Sequence, residues 1–377
     1  MDAVTPQMYG AIADGVADDT ESIQKAVDSG FDVYIPTTHK ESYRITKPIR
    51  ITNSQCKRIF SESISRRSDK GSIIADFKDM GVDAKTVPLF DVHIQLLRIN
   101  GIRIVSRAVN NHRAGILVNA MDEKLCDYDI HIENCDIKNF YKVACFTGRG
   151  FEIVNSKVAS CQYLAELYWK DENDTNKNHP AMYDQRGIMV KNCRLHNIAS
   201  GFFTVKSGHA YGLHFSGNTV DNGSGYLVKA YEQAYGWNIS NNVIQGINGD
   251  FNFMEFRKGM LNCVITGNTF VSDMGYWVGS EGTVGSWIKS LGSISGSIIN
   301  SNVFKNSDGA FMEIKNADNS IFMGNVMQNK TGSSSPAIVI NGTFKKNVVV
   351  GNSATSDKLL SKALPKGNEV VGNCPSS

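Results

Sequence analysis

Proline is scarce in this chain, and neither sign of charge is in clear excess. The chain has 377 residues, of which 8 are proline and 34 are glycine. Many tight corners built without proline fit a coil of short strands. The formal net charge is +2, so the composition gives no electrostatic reason to predict binding to nucleic acid or to a membrane surface.

Long apolar runs and paired cysteines are also missing. No apolar run reaches 18 residues and no segment resembles a signal peptide, so we predict neither Sec secretion nor membrane insertion. The 8 cysteines form no CxxC pair. Cys135, Cys193 and Cys374 each follow an asparagine where the strand pattern points small side chains inward. We therefore predict buried free thiols and synthesis in a reducing cytoplasm.

Several motifs of nucleotide binding and hydrolysis are absent. The sequence contains no GxSxG, P-loop or HExxH pattern. It also lacks the dense aspartate cluster that a calcium-dependent pectate lyase needs. We therefore predict no required metal and no cofactor.

What the sequence does contain is a repeated unit. A short stretch of alternating apolar residues runs into an asparagine, usually after glycine or a small polar residue, and a second short stretch follows. Ten copies have asparagines at Asn134, Asn155, Asn192, Asn218, Asn242, Asn268, Asn302, Asn325, Asn352 and Asn373. A strand repeat of roughly 20 to 35 residues predicts a solenoid, in which each turn buries its apolar side against its neighbours.

Residues 1–50 do not follow this repeat. Asp18 and Asp19 suit the N-cap of a helix of about ten residues, and Gly30 suits its C-terminal end. Such a helix would cover the open end of the solenoid. We predict an N-terminal capping segment over 1–50 and a β-helix domain over 51–374. Two insertions, at 170–187 and 272–286, are predicted to be loops on the binding flank.

The N-terminal residues resemble a known family. The stretch VTPQMYGAIADGVADDTESIQKAVDSG, followed by VYIP and YRITKPIRI, is similar to the first segment of the pectate-lyase-like right-handed parallel β-helices, in the version typical of phage and prophage tailspike proteins. This resemblance implies an all-β, single-stranded right-handed parallel β-helix that forms a homotrimer. It also implies an enzyme of the virion tail, made in the host cytoplasm, that meets other phage tail proteins and cleaves bacterial surface polysaccharide. The chain stops almost as soon as the last repeat does, which leads us to expect oligomerisation or a longer parent chain.

A second strand in each turn predicts a column of cations. Alternation places Val205, Val228, Phe256, Ile288, Ile314 and Ile340 inward. The residues after them then form an outward column of Lys206, Lys229, Arg257, Lys289, Lys315 and Asn341. Five stacked cations repel one another unless an anion faces them. One interpretation is a groove for an acidic polysaccharide; the other is a surface strip or a subunit interface.

Carboxylates are predicted beside these cations. The adjacent outward column contains Thr204, Leu227, Glu255, Trp287, Glu313 and Val339. Glu255 and Glu313 would lie two turns apart, about 9–10 Å by strand spacing. This is close to the separation of about 6.5–9.5 Å in inverting glycosidases. Glu232 and Glu281 flank Glu255, and either could complete a catalytic pair. For each acid, a solvated surface carboxylate is the competing interpretation.

Aromatic residues cluster in the same stretch. Flat rings that bind sugar faces are candidates at Tyr231, Tyr235, Tyr276, Trp277 and Trp287. Some of these rings could instead cover the coil or pack between subunits. The preferred hypothesis is endo-hydrolysis of capsular or O-antigen polysaccharide. A polysaccharide lyase, with its base among Arg257, Lys229, His209 and Tyr211, and a non-catalytic glycan-binding tail or baseplate protein are the alternatives.

Overall fold

The computed structural model describes residues 3–36, 42–62, 72–107, 113–121, 127–146, 149–167, 184–185, 187–205, 209–247, 252–272, 285–305, 309–328, 335–355 and 358–375. The chain divides into two compact units. The first unit consists of Met1–Met182 and Gly187–Ala199, and the second of Tyr183–Arg186 and Ser200–Ser377.

In the first unit, the described strands form three columns in which every recorded pairing is parallel. The first column contains Ala3–Val4, Asp32–Tyr34, Arg58–Phe60, Leu96–Asn100, Asp127–Glu133, Arg149–Val154 and Ile188–Lys191. The second contains Asp14–Asp18, Ser42–Ile45, Ser72–Ala75, Arg103–Ser106, Asp136–Lys138, Lys157–Ala159 and Arg194–His196. The third contains Ile49–Ile51, Pro88–Val92, Ile116–Ala120, Lys142–Phe146 and Tyr163–Leu167.

The second unit repeats this order of strands along the chain. Its first column contains Leu213–Ser216, Asn238–Ser240, Val264–Thr266, Ile298–Asn300, Ile321–Met323, Val348–Val350 and Glu369–Val371. Its second contains Thr219–Asp221, Val243–Gln245, Thr269–Val271, Val303–Lys305, Val326–Gln328, Ser353–Ala354 and Cys374–Pro375.

The third column of the second unit is accompanied by a fourth. The third contains Gly201–Val205, Tyr226–Ala230, Met254–Phe256, Ile288–Ser295, Met312–Asp318 and Ile338–Ile340. The fourth contains Asp184–Gln185, His209–Tyr211, Ala234–Tyr235, Gly259–Leu261 and Phe344–Lys345, together with the ends of Ile288–Ser295 and Met312–Asp318. This parallel coil of short strands confirms the predicted β-helix.

Inward side chains stack from strand to strand, and this stacking forms the core. In the second unit, Val220, Ile244, Phe270, Phe304 and Met327 lie in register and are fully buried. The Phe270 and Phe304 rings stack with their centroids 5.0 Å apart. Each turn therefore buries its apolar face against the adjacent turns, as expected of a solenoid.

One α-helix lies among the described residues. It spans Thr20–Asp28, buries Ile23, Ala26 and Val27, and contacts the strands Asp32–Tyr34 and Ile49–Ile51. The predicted capping helix is therefore confirmed. Gly30 follows it in the left-handed conformation, with φ of +82°. Short 3₁₀ helices lie at Pro6–Tyr9 and at Lys78–Lys85, the latter kinked at Gly81.

Of the two aspartates predicted to cap the helix, Asp18 does so and Asp19 has a different role. Asp19 holds the N-cap position, but its carboxylate makes no cap hydrogen bond to the helix. It accepts instead from the backbone amides of Ile12 and Ala13. Asp18 accepts from the Thr20 amide at 3.1 Å. Asp19 therefore ties the preceding loop to the start of the helix.

The repeated asparagines of the second unit form a buried ladder at the corner between the first and second columns. Asn302 shows the pattern: its Nδ2 donates to Asn325 Oδ1 at 3.0 Å and to the Ile265 carbonyl at 2.9 Å. Its Oδ1 accepts from the backbone and side-chain amides of Asn268. The ladder consists of Asn218, Asn242, Asn268, Asn302, Asn325, Asn352 and Asn373.

The first three predicted members of the repeat occupy a different position. Asn134, Asn155 and Asn192 have φ between +52° and +54°, so they are the left-handed residues of the turn. The next residues, Cys135, Ser156 and Cys193, stand where the ladder asparagines stand in the second unit, one residue before the second column. Asparagine is favoured at both positions, because it tolerates positive φ and can bond to backbone groups.

The predicted buried thiols are confirmed for the cysteines that the structure describes. Six free cysteines are buried, namely Cys56, Cys135, Cys145, Cys161, Cys193 and Cys263. Burial raises the pKa of the Cys135 thiol to about 12 and that of Cys193 to about 11. Cys126 and the Cys374 side chain lie outside the described residues.

A buried carboxylate in the first unit indicates that the fold loses stability at acid pH. Asp76 Oδ2 lies 2.8 Å from Arg44 Nε and 2.6 Å from Arg107 Nη1. Burial opposes ionisation of Asp76, but the two guanidinium groups outweigh it, so its pKa lies below the ordinary value. A carboxyl with a depressed folded pKa stabilises the fold above its unfolded pKa and loses that contribution as pH falls through the folded pKa.

We expect Asp76→Asn to lower the free energy of unfolding at neutral pH by about 2 kcal/mol. The gap between wild type and variant should close as pH falls below about 4. Urea titrations at pH values on both sides of this range measure the gap, with Asp79→Asn as the exposed control. A gap that stays constant down to acid pH would contradict the assignment.

Candidate functional site

The third column of the second unit carries an alternating row of charges on its outward face. Lys229 pairs in register with Glu255, Glu255 with Lys289, and Lys289 with Glu313. Thr204 precedes this row and Val339 follows it. We call the four residues the charge column. Neighbouring members lie on strands about 4.8 Å apart, so each acid faces a cation on the next strand.

This register corrects the predicted cation ladder. The prediction set Val228 and Ile288 opposite Phe256, whereas the structure sets Ala230 and Ser290 there. The strands that carry Lys229 and Lys289 are therefore shifted by two residues relative to the prediction. This shift moves both lysines into the column of the glutamates. Matching by apolar character favoured valine and isoleucine over alanine and serine. A slip of two residues keeps every side chain on its face, so alternation alone does not detect it.

The remaining cations belong to the next outward column. Arg257 directly follows the strand that carries Glu255 and lies over the Tyr231 ring. Lys315 lies two residues beyond Glu313 on Met312–Asp318. Lys206 lies outside the described residues. Within the part of the third column that the structure describes, there is thus no run of five cations, and the mutual repulsion argued from it does not arise.

The predicted surface position of Trp287 is also wrong. The prediction placed it on the surface as a sugar platform, but its side chain is fully buried, as is that of Leu227. Trp287 and Ile288 both donate backbone hydrogen bonds to the Phe311 carbonyl at 3.1 Å. At this corner two successive residues therefore point inward, which strict alternation does not allow. The Trp287 ring packs 5.3 Å from Phe253 and 5.5 Å from Phe270.

Glu255 is held by two donors. Its Oε1 accepts from Arg257 Nε at 3.1 Å, and its Oε2 accepts from Asn252 Nδ2 at 3.3 Å. The Arg257 guanidinium lies 4.2 Å from the centre of the Tyr231 ring. The Glu255 side chain is 15% exposed, so it is accessible but has a defined orientation. Asn252 and this role of Tyr231 beneath Arg257 were not predicted, because neither follows from position in the repeat.

Glu313 is held in a similar way. Its Oε1 accepts from Ser286 Oγ at 2.8 Å, and its Oε2 lies 2.9 Å from Lys289 Nζ. The structure therefore confirms that Glu255 and Glu313 share a column with one strand between them. It places Lys289, rather than the predicted Trp287, on that strand. Across two strand spacings the glutamate backbones are about 9–10 Å apart.

The other predicted site residues are dispersed. Glu232 is ion-paired with Lys258 at 2.5 Å, after the strand that carries Lys229. Tyr235 lies in the fourth column, where its ring is 4.9 Å from that of Tyr211. Lys229 Nζ lies 4.6 Å from the centre of the Tyr226 ring. Glu281, Tyr276 and Trp277 lie outside the described residues.

Comparisons with known proteins bear on the fold. The sequence matches no protein-family profile. It also has no match among curated proteins. The solved structure of the Dettilon tailspike protein has 14% identity and a TM-score of 0.53, and the alignment covers 95% of this chain and 68% of that one.

Two enzymes have weaker structural likeness. The mannuronan C-5 epimerase A-module of Azotobacter vinelandii has 13% identity and a TM-score of 0.46, over 97% of this chain and 99% of that one. The catalytic unit of an α-1,3-glucanase from Streptomyces thermodiastaticus has 13% identity and a TM-score of 0.44, over 96% of this chain and 70% of that one. Within the described residues, no helix is long and apolar enough to span a membrane. The chain has the right-handed parallel β-helix fold of the Dettilon tailspike protein, as the N-terminal resemblance predicted.

Proposed function

We propose that the charge column binds and hydrolyses an acidic polysaccharide of the bacterial surface, a capsule or an O-antigen. The observation that carries this proposal is the arrangement of Glu255 and Glu313 on one face with Lys289 between them. A row of side chains along the coil axis suits the binding of a linear polymer. The cations in and beside the row suit a polymer that carries acidic sugars.

The separation of the strands that carry Glu255 and Glu313, about 9–10 Å, favours an inverting hydrolase. Such enzymes separate their two carboxyl groups by about 6.5–9.5 Å, which leaves room for a water molecule. Of Glu255 and Glu313, one would protonate the glycosidic oxygen and the other would activate the water. Lys289, already paired with Glu313 at 2.9 Å, would contact an acidic group of the substrate. Tyr231 and Tyr235 would contact sugar rings.

The biological setting is part of the same proposal. The chain would act as a tailspike depolymerase at the virion tail, as a homotrimer attached to other tail proteins. The fold shared with a tailspike protein supports this setting.

One contact favours a lyase as the second candidate. A lyase removes a proton beside a uronate carboxyl group, and Tyr231 beneath Arg257 offers a base next to a cation. Neutralisation of the uronate carboxyl would then fall to Arg257 and Lys229.

Product analysis distinguishes these possibilities. The chain is incubated with purified capsular and O-antigen polysaccharides, and the reducing ends and the absorbance at about 232 nm are measured. We expect new reducing ends without a rise in absorbance. A rise in absorbance in proportion to the new ends would identify a lyase and overturn hydrolysis. Saturable binding without cleavage would identify a non-catalytic binding protein.

A further inference from the structure

A basic pocket lies in the first unit, on the first column of strands. The cavity has a volume of about 550 Å³. It forms where the residues after the helix lead into Asp32–Tyr34, beside Arg58–Phe60 and Leu96–Asn100. Its polar lining consists of Asp32, Gln55, Lys57, Arg58 and Arg98, and its apolar lining includes Phe31 and Leu96. None of these residues belongs to the charge column.

The lining of the basic pocket has excess positive charge. Three cations face one carboxylate, which leaves a net charge of +2. Arg58 and Arg98 are directly opposite each other on adjacent parallel strands. Like charges in that position destabilise a sheet unless an anion or a counter-charge lies nearby. Among the described residues, Asp32 pairs with Arg58 at 3.3 Å, and no carboxylate lies within 4.0 Å of the Lys57 or Arg98 charge.

Arg58 is oriented before any ligand binds. Its guanidinium carbon lies 3.9 Å from the centre of the Phe60 ring, and its Nε faces Asp32. The side chain remains 42% exposed. A guanidinium fixed in this way keeps its terminal nitrogens as donors for the oxygens of a carboxylate or phosphate, at a reduced entropic cost.

An exposed ring completes the basic pocket. Phe31 is 50% exposed although it is large and apolar, and it lies on the same cavity as the cations. Aromatic faces pack against the C–H faces of sugar rings. The cavity volume falls in the ordinary range of small-molecule sites, about 300–1,000 Å³. An apolar face beside paired guanidinium groups fits a sugar that carries an acidic group better than it fits a simple ion.

We propose that the basic pocket is a second saccharide-binding site, which takes a sugar residue bearing a carboxylate or a phosphate. Arg58 and Arg98 bind the acidic group, Lys57 adds to the attraction, and Phe31 packs on the ring. The site holds the sugar without cleaving it, because Asp32 is the one carboxylate in its lining and hydrolysis of a glycosidic bond uses two. This proposal does not depend on catalysis at the charge column.

The test is a titration of the full chain with glucuronate, glucose 6-phosphate, inorganic phosphate and glucose, followed by ligand-observed NMR. We expect at least one acidic sugar to bind and glucose not to bind. Arg98→Gln should weaken that binding about tenfold, because it removes a charged donor. Arg50→Gln, an exposed arginine elsewhere in the first unit, is the matched control. Comparison of glucuronate with glucose 6-phosphate identifies which acidic group is preferred.

Three further variants keep the outcome interpretable. Phe31→Ala should weaken binding of the acidic sugar several-fold and leave inorganic phosphate unchanged, which separates a sugar site from an ion site. Lys345→Gln, at an exposed lysine outside both the basic pocket and the charge column, should not change binding of the acidic sugar. The proposal is overturned if no acidic sugar binds, or if Arg98→Gln and Lys57→Gln, both folded by their melting curves, bind as wild type does. It is also overturned if Phe31→Ala affects phosphate and sugar equally.

Discussion

Replacing Glu255 with glutamine is expected to lower kcat on the cleaved polysaccharide at least about a hundredfold, or about 2.7 kcal/mol of transition-state stabilisation. Glutamine keeps the size of the side chain, and its carbonyl oxygen can still accept from Arg257; its amide nitrogen replaces the oxygen that accepts from Asn252. It can neither take nor give the catalytic proton. Binding of the polysaccharide should therefore persist while turnover is lost.

The measurement is steady-state release of reducing ends, together with a binding titration. Glu313→Gln is the partner variant and should also lose most of its turnover. Glu369→Gln, an exposed carboxylate outside the charge column, is the matched control and should behave as wild type does. Near-normal kcat for Glu255→Gln would remove Glu255 from the catalytic site and the charge column from the mechanism.

Replacing Asn302 with alanine is expected to lower the free energy of unfolding by about 3–5 kcal/mol. This loss is larger than the one expected for Asp76→Asn. The substitution removes two donated and two accepted hydrogen bonds at a fully buried position. The Asn268 amides and the Ile265 carbonyl are then left without these partners in the core, where water cannot replace them. The loss should therefore exceed that of an ordinary surface substitution.

Equilibrium unfolding in urea measures this effect. Asn341→Ala, at an exposed position on the third column, is the control and should change the free energy of unfolding by less than about 0.5 kcal/mol. A loss below about 1 kcal/mol for Asn302→Ala would show that the ladder does not stabilise the coil as its hydrogen bonds indicate.

The parallel coil was predictable because its signal repeats. A strand pattern that ends at an asparagine recurs ten times, so single irregular copies do not obscure it. In the first unit the asparagines lie one residue before the ladder position. The sequence did not reveal this difference, because Asn134, Asn155 and Asn192 occupy a turn position that also favours asparagine. Sequence alone does not separate two adjacent positions with the same preference.

The candidate site was predictable only in part. The spacing of Glu255 and Glu313 was right, because the strands that carry them were aligned correctly with each other. The position of Lys229 and Lys289 was wrong, because Ala230 and Ser290 occupy inward positions that apolar matching assigns to larger residues. The burial of Trp287 depends on a corner with two inward residues in succession. The packing of Arg257 over Tyr231 could not be predicted from the sequence, because it joins residues of neighbouring turns.

The most direct test is a crystal structure of Glu255→Gln with an oligosaccharide of the cleaved polysaccharide. We expect the sugar chain to lie along the third column of the second unit, with a glycosidic bond between residues 255 and 313 and an acidic group within reach of Lys289. An oligosaccharide that crosses other strands and contacts neither residue 255 nor Glu313 would contradict this expectation.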